Sequence, residues 1–130
     1  MENCIFCKII KGEIPSYTIY EDENIKVFLD INPNSNGHAL IIPKKHIKDI
    51  QEIDSATFTQ ILDVIQNNIY KQLKNKLNCD GITIVQNNEY GQEVKHFHIH
   101  IIPRYKNDNV KLNYNKENIK PVEEIYSIIK

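Results

Sequence analysis

The chain has 130 residues, 41% of them hydrophobic and 25% charged, with a formal net charge of −1, which suits one domain long enough to bury a core. Such balanced charge argues against a dedicated duplex-binding surface and so against a specific nucleic-acid partner. No apolar run approaches the roughly 18 residues of a membrane span.

Residues 4–11 (CIFCKIIK) read as a short helical turn ended by Gly12, with Phe6, Ile9 and Ile10 on its apolar side. After Pro15, residues 17–20 form a first strand, and the acidic turn 21–24 leads into a second over 25–30. The loop Asn32-Pro33-Asn34-Ser35-Asn36-Gly37 precedes a third strand over 38–43. From Asp54 or Ser55, either able to cap a helix, the period changes. Phe58, Ile61, Leu62, Ile65, Ile69 and Leu73 recur at three- and four-residue spacing, which predicts one long amphipathic helix ending near Asn78. Residues 81–86 are a fourth strand and 94–103 (VKHFHIHIIP) a fifth. An Asn- and Lys-rich tail closes with a short helix over 122–129. The expectation is a single α+β domain over 1–130, with its core at about 4–105 and a tail at 106–130. An antiparallel sheet of about five strands would pack on the long helix, with short helices at the termini.

Three cysteines suit a disulfide scaffold poorly, and the first residues lack the basic and apolar regions of a secretory signal. A reducing, cytoplasmic location is expected. Cys4 and Cys7 form a C-x-x-C pair. Cys79, alone after the long helix, reads as a small apolar filler.

The chemistry concentrates in residues 96–100, where three of the five histidines alternate with Phe97 and Ile99. Side chains alternate across a strand, so three imidazoles project from one face while Phe97, Ile99 and Ile101 pack beneath the helix. Burying that apolar row fixes the register, because a one-residue slip would send every histidine into the core. Two chemistries fit such a row. A neutral imidazole can attack phosphorus while its neighbours bind the phosphoryl oxygens; alternatively, the row is a ligand surface for zinc.

His96-Phe97-His98-Ile99-His100-Ile101-Ile102 is a complete His-φ-His-φ-His-φ-φ pattern, φ being apolar. It stands with Cys4-Ile5-Phe6-Cys7-Lys8-Ile9-Ile10, Glu13-Ile14-Pro15, Phe28-Leu29-Asp30-Ile31, Gly37-His38, Ile42-Pro43-Lys44-Lys45-His46-Ile47 and Gly91-Gln92. Together these resemble the bacterial members of the histidine-triad (HIT) family over most of the chain up to Tyr105.

The resemblance implies a nucleotide hydrolase or transferase. His98 would be the nucleophile, attacking the α-phosphorus of a nucleoside phosphoramidate or a dinucleoside polyphosphate. The resulting nucleotidyl-histidine would yield a nucleoside monophosphate, AMP by the family's preference for adenine. His100 and His38 would bind phosphate and support the nucleophile, beside the first triad member, His96. Asp30 would accept ribose hydroxyls, although capping the following turn suits it equally. Phe6, Ile9, Ile14, Phe28, Ile31 and Leu40 would line a purine pocket, or simply form core. Gln86 and Asn87, with Gln92, would lie along the phosphate chain. Glu93 replaces a serine or threonine found in some relatives, and fits either a site role or a solvated carboxylate.

The resemblance also implies a structural zinc on Cys4, Cys7, His46 and His96, a closed set that leaves no position for catalysis. Two reduced cysteines without metal are the alternative. No catalytic metal is required, the substrate would be a purine nucleotide, and a homodimer is implied. Arg104 would meet either a carboxylate across a subunit boundary or the substrate. Two other function classes fit the residues: a nucleotide-binding regulator with little turnover, and a metal-binding module.

Overall fold

The computed structural model describes residues 3–111, 113 and 115–130. Five strands, β1 (Thr18–Glu21), β2 (Ile25–Leu29), β3 (Ala39–Pro43), β4 (Gly81–Gln86) and β5 (Ile99–Arg104), make one antiparallel sheet in the order β1-β2-β3-β5-β4. Helix α1 (Ile5–Ile10) precedes the sheet, α2 (Ser55–Val64) and α3 (Tyr70–Leu77) lie between β3 and β4, and α4 (Val122–Ile129) closes the chain. This is the expected α+β architecture. Among the described residues no helix is long and apolar enough to cross a membrane.

Two apolar clusters sandwich the sheet. On one face Ile25, Val27, Ala39, Ile41, Phe97, Ile99 and Ile101 meet Ile61, Val64, Ile65, Ile69 and Leu73 of the helical layer. On the other, α1 lays Phe6 and Ile9 against Phe28, Leu40 and Ile42. Period-two alternation therefore feeds two buried layers rather than one, which is why all five residues of β3 are buried.

The long helix departs from the sequence expectation in one respect. Its start is capped as predicted, with the Asp54 carboxylate accepting from the Thr57 N–H at 3.0 Å, and it ends at Asn78 in the left-handed region (φ 54°). Between α2 and α3, however, Ile65–Ile69 form a π-helical turn. The buried residues explain it. Ile61, Ile65, Ile69 and Leu73 are spaced by four, and four residues overshoot a 3.6-residue turn by about 40°. A wider π turn cancels part of that drift and keeps the row on the sheet.

Strand β5 also starts later than expected, at Ile99 rather than Val94. Its pairing with β3 runs only from Ile99↔Ile41 to Ile101↔Ala39. Beyond it β3 ends at Pro43, which has no N–H to give, and its carbonyl accepts from a His96 side chain. The main chain instead donates from Phe97 N–H to the Ile47 carbonyl at 2.6 Å. The apolar partners still alternate, with Phe97, Ile99 and Ile101 all in the helix-side core.

Phe97 is fully buried, in edge contact with Phe58. Truncation to alanine should cost about 3–5 kcal/mol, whereas Tyr90→Ala, at a fully exposed site, should stay within about 0.5 kcal/mol. Urea unfolding of the two variants measures the difference.

Candidate active site

A cavity of about 960 Å³ crosses the sheet on the α1 side, from β2 to β4. Phe6, Ile9, Ile14, Phe28 and Leu40 wall one end, with Asp30 and the mostly exposed Ile31 at its rim. His38, His98 and His100 line the middle, and Asn87 and Glu93 also reach it. The structure thus gathers most of the residues singled out from sequence.

Two lie elsewhere. Gln86 points away, because Thr83, Val85 and Asn87 take the cavity-facing positions of the alternation; its amide bonds the Asn87 carbonyl and the Asn88 side chain. Gln92 is buried, donates to the Lys48 carbonyl at 2.7 Å and accepts from the Glu89 N–H. It shapes the loop before the triad rather than lining the cavity.

The backbone sets the tautomer of each cavity imidazole. His98 Nδ1 lies 2.7 Å from the His96 carbonyl oxygen. A carbonyl only accepts, so Nδ1 carries the hydrogen and Nε2 keeps a lone pair. At His38 the direction is reversed, with the Asn34 N–H donating to Nδ1 at 3.0 Å. The proton of neutral His38 is therefore on Nε2, which donates to His100 Nδ1 at 2.9 Å. That leaves His100 with a hydrogen on Nε2. One strand then presents a lone pair at His98 and a donor at His100, with ring centroids 5.0 Å apart.

Charge follows the same plan. Burial pushes His98 below the ordinary histidine value, and the neighbouring His100 adds to this. Burial also lowers His100 and His38, with Asp30 opposing. All three are neutral near pH 7. Asp30 has two tasks: Oδ1 accepts from the Asn32 N–H at 2.9 Å, capping the turn, while Oδ2 stands 3.5 Å from His38 Nε2. Asp30, His38 and His100 are close enough to hold a cation together, but His38 Nε2 bears a proton in this arrangement, so the group forms a hydrogen-bonded relay.

The first triad histidine belongs to a different cluster. His96 is fully buried; its Nε2–H donates to the Pro43 carbonyl at 2.8 Å, which frees Nδ1. Nδ1 lies 3.4 Å from Cys4 Sγ and 3.6 Å from Cys7 Sγ, and His46 Nδ1 is 3.2 Å from Cys7 Sγ. All four donor atoms fall within 4.8 Å of one another. Zinc bonds of about 2.3 Å to sulfur and 2.0–2.1 Å to nitrogen imply tetrahedral sulfur–nitrogen edges of about 3.5 Å, so the group fits a metal. The fixed ring orientation of His96 is the kind of outer support that metal ligands need. Burial pushes His96 down to about 4 and the Cys7 thiol up to about 11. The first favours an unprotonated ligand, and the second means that proton loss from sulfur needs a cation beside it.

Sequence reasoning missed two kinds of contributor. The carbonyls of His96 and Pro43 and the N–H of Asn34 orient the imidazoles, and main-chain groups carry no residue-type signal. Thr83 and Val85 line the cavity on the same face as Asn87, which the alternation of β4 implies. Arg104, for which the sequence left two partners open, pairs with Asp108 of its own chain at 2.8 Å.

A HIT domain family model matches residues 11–107. The chain is 41% identical over 129 residues to an uncharacterised HIT-like protein of Methanocaldococcus jannaschii, covering 98% of each. It is 42% identical over 103 residues to an adenosine 5′-monophosphoramidase of Saccharomyces cerevisiae, spanning 78% of this chain and 62% of that one. A solved structure of a Zn-bound histidine triad family protein from Mycobacterium smegmatis superposes with a TM-score of 0.79 at 34% identity, over 89% of this chain and 85% of that one.

Because His38 is held neutral, protonation favours the unfolded chain. Its contribution is fully present above the unfolded value of about 6.5 and is lost as pH falls below it. Urea midpoints of wild type should drop between pH 7.5 and 5.5 more steeply than those of His38→Gln.

Proposed function

The chain belongs to the HIT family, and from that premise we propose that it hydrolyses nucleoside phosphoramidates or related nucleotide conjugates through a covalent nucleotidyl-histidine at His98. The observation that carries this reading is the pairing of an unprotonated His98 Nε2 with a protonated His100 Nε2 along one cavity wall, each fixed through its other nitrogen.

The base lies between α1 and the β2–β3 end of the cavity, where Phe6 and Phe28 meet edge-on at 5.6 Å. Asp30 keeps one carboxylate oxygen for the ribose hydroxyls. His98 Nε2 attacks the α-phosphorus, the bond from phosphorus to the leaving nitrogen or oxygen breaks, and the leaving atom departs with the electron pair and takes a proton from water. The His100 Nε2–H donates to a phosphoryl oxygen as its charge grows. The His96 carbonyl steadies the positive charge that develops on the His98 ring, because Nδ1–H donates to it throughout. Water then attacks phosphorus, the P–Nε2 bond returns its electrons to His98, and the nucleoside monophosphate leaves. An adenine preference, and with it AMP as product, rests on the yeast relative's activity.

Cys4, Cys7, His46 and His96 would hold a zinc ion, which supplies no step of the reaction. With four protein ligands it has no open position for water or substrate, and its effect is to tie α1, the floor of the nucleotide pocket, to the segment that carries His98. A homodimer in the cytoplasm completes the reading.

His98→Ala should lower AMP release from adenosine phosphoramidate by about 10⁴-fold, or roughly 5.5 kcal/mol of barrier, while AMP still binds. Acid-quenched wild type should carry α-phosphate label on His98; an unlabelled enzyme with full turnover would exclude the covalent route. Elemental analysis should find one zinc per chain. Chelation should lower Tm without removing label incorporation from the protein that stays folded.

A further inference from the structure

The two sulfurs of the metal-ligand set have a second chemistry. Cys4 caps α1, and Cys7 stands three residues on, inside it; neither is in a disulfide. The Cys7 N–H donates to Cys4 Sγ at 3.3 Å, so the first sulfur already lies against the backbone of the second residue. The two Sγ atoms fall within 4.8 Å of one another. Rotation of the side chains, with α1 still wound, therefore brings sulfur to sulfur.

The surroundings divide the labour between them. Cys4 is half-buried and Cys7 buried, so a small solute meets the Cys4 sulfur first and finds Cys7 behind it. Cys79 differs from both. It is buried outside the ligand set, and its thiol donates to the Leu73 carbonyl at 3.9 Å.

Oxidation and metal binding exclude each other at this pair. Sulfur ligates zinc as a thiolate, and a disulfide sulfur carries no such charge. His46 and His96 would then remain as two imidazoles, half of a closed tetrahedral set. Between the cysteines sits Phe6, whose ring meets His96 at 5.9 Å, His98 at 5.0 Å and Phe28 at 5.6 Å. A shift in the Cys4–Cys7 turn is thus carried by one side chain to the His98 ring and to the cavity wall.

We propose that Cys4 and Cys7 are a redox-modification site, which a hydroperoxide oxidises to a disulfide; this dismantles the ligand set with His46 and His96 and, through Phe6, disables the His98 cavity. The Cys4 sulfur attacks one peroxide oxygen, the O–O bond breaks, and the departing oxygen takes the electron pair and a proton, leaving as water or an alcohol. Cys4 is then a sulfenic acid. The Cys7 sulfur attacks the Cys4 sulfur, the S–O bond breaks, and hydroxide leaves with the Cys7 proton as water. Two electrons pass from the sulfur pair to the peroxide, and a thiol reductant returns them. The effect on catalysis rests on the function proposed above, whereas formation of the disulfide does not.

The test treats the full-length, zinc-loaded chain with hydrogen peroxide. Peptide mapping should find Cys4 joined to Cys7 while Cys79 stays a thiol, and a colorimetric chelator should register one zinc released per disulfide. Acylation of His98 by diethyl pyrocarbonate should speed up several-fold as Phe6 leaves its ring. AMP release should fall about ten-fold or more, the usual effect of disturbing the groups that support a site, and dithiothreitol with added zinc should restore both rates. Cys7→Ser should stop at a Cys4 sulfenic acid that dimedone traps, and Cys79→Ser should behave as wild type. The wild-type map and its reversal need no variant, so a misfolded Cys7→Ser leaves the answer intact. Treated wild type that releases no zinc, that oxidises Cys4 past the sulfenic stage without a bridge to Cys7, or that forms the bridge with His98 acylation unchanged overturns the proposal. Failure of the reduced protein to cleave adenosine phosphoramidate overturns the hydrolase reading alone, and the bridge, zinc and acylation readouts then still decide this one.

Discussion

The hydrogen bond from His98 Nδ1 to the carbonyl of His96, 2.7 Å long, constrains everything around it. It forces the ring into one tautomer and aims the remaining lone pair at the cavity. It also requires that residues 96–98 keep one local conformation. That conformation is held from three sides: Phe97 is buried under the helical layer, its N–H is bound by the Ile47 carbonyl, and the His96 ring is anchored on Pro43. The geometry of the histidine site and core packing are thus properties of the same few residues, and neither can shift without the other.

The neutral state of the histidines follows from the same burial. Four imidazoles crowded into one region would repel each other if charged. The protein avoids this by desolvating them and by joining His38 to His100 through a single shared hydrogen, with a main-chain N–H deciding which of the two gives it. Asp30 tempers the effect without reversing it, since half of its carboxylate is engaged in the turn that starts the loop back to His38.

Much of this could be read in the chain before any coordinates. The alternation of Phe97, Ile99 and Ile101 with the triad placed the apolar row under the helix, and the four-residue rhythm from Ile61 to Leu73 placed the helix over it. Residue-type patterns report burial and face, and those were legible. They do not report where main-chain carbonyls and amides point. For that reason the true start of β5 and the tautomers emerged only in three dimensions. Gln86 illustrates the limit: its neighbourhood was right, but a one-residue difference on a strand moves a side chain to the opposite face. The role of Arg104 lay hidden for another reason, since its partner Asp108 sits in a tail with no periodic pattern to read.

Helix α1 occupies an unusual place in this design. The sulfur atoms of Cys4, which caps it, and of Cys7, within it, reach toward His96 while Phe6, between them in sequence, packs edge-on against both His96 and His98. The strand that carries the histidines and the apolar wall of the cavity therefore come from distant parts of the chain, joined through a few soft atoms. Such modularity gives selection two separate handles. Under the proposed function, changes at Ile9 or Ile14 would retune which base is accepted while reactivity stays intact, whereas oxidation of either thiol would loosen recognition and chemistry in a single event.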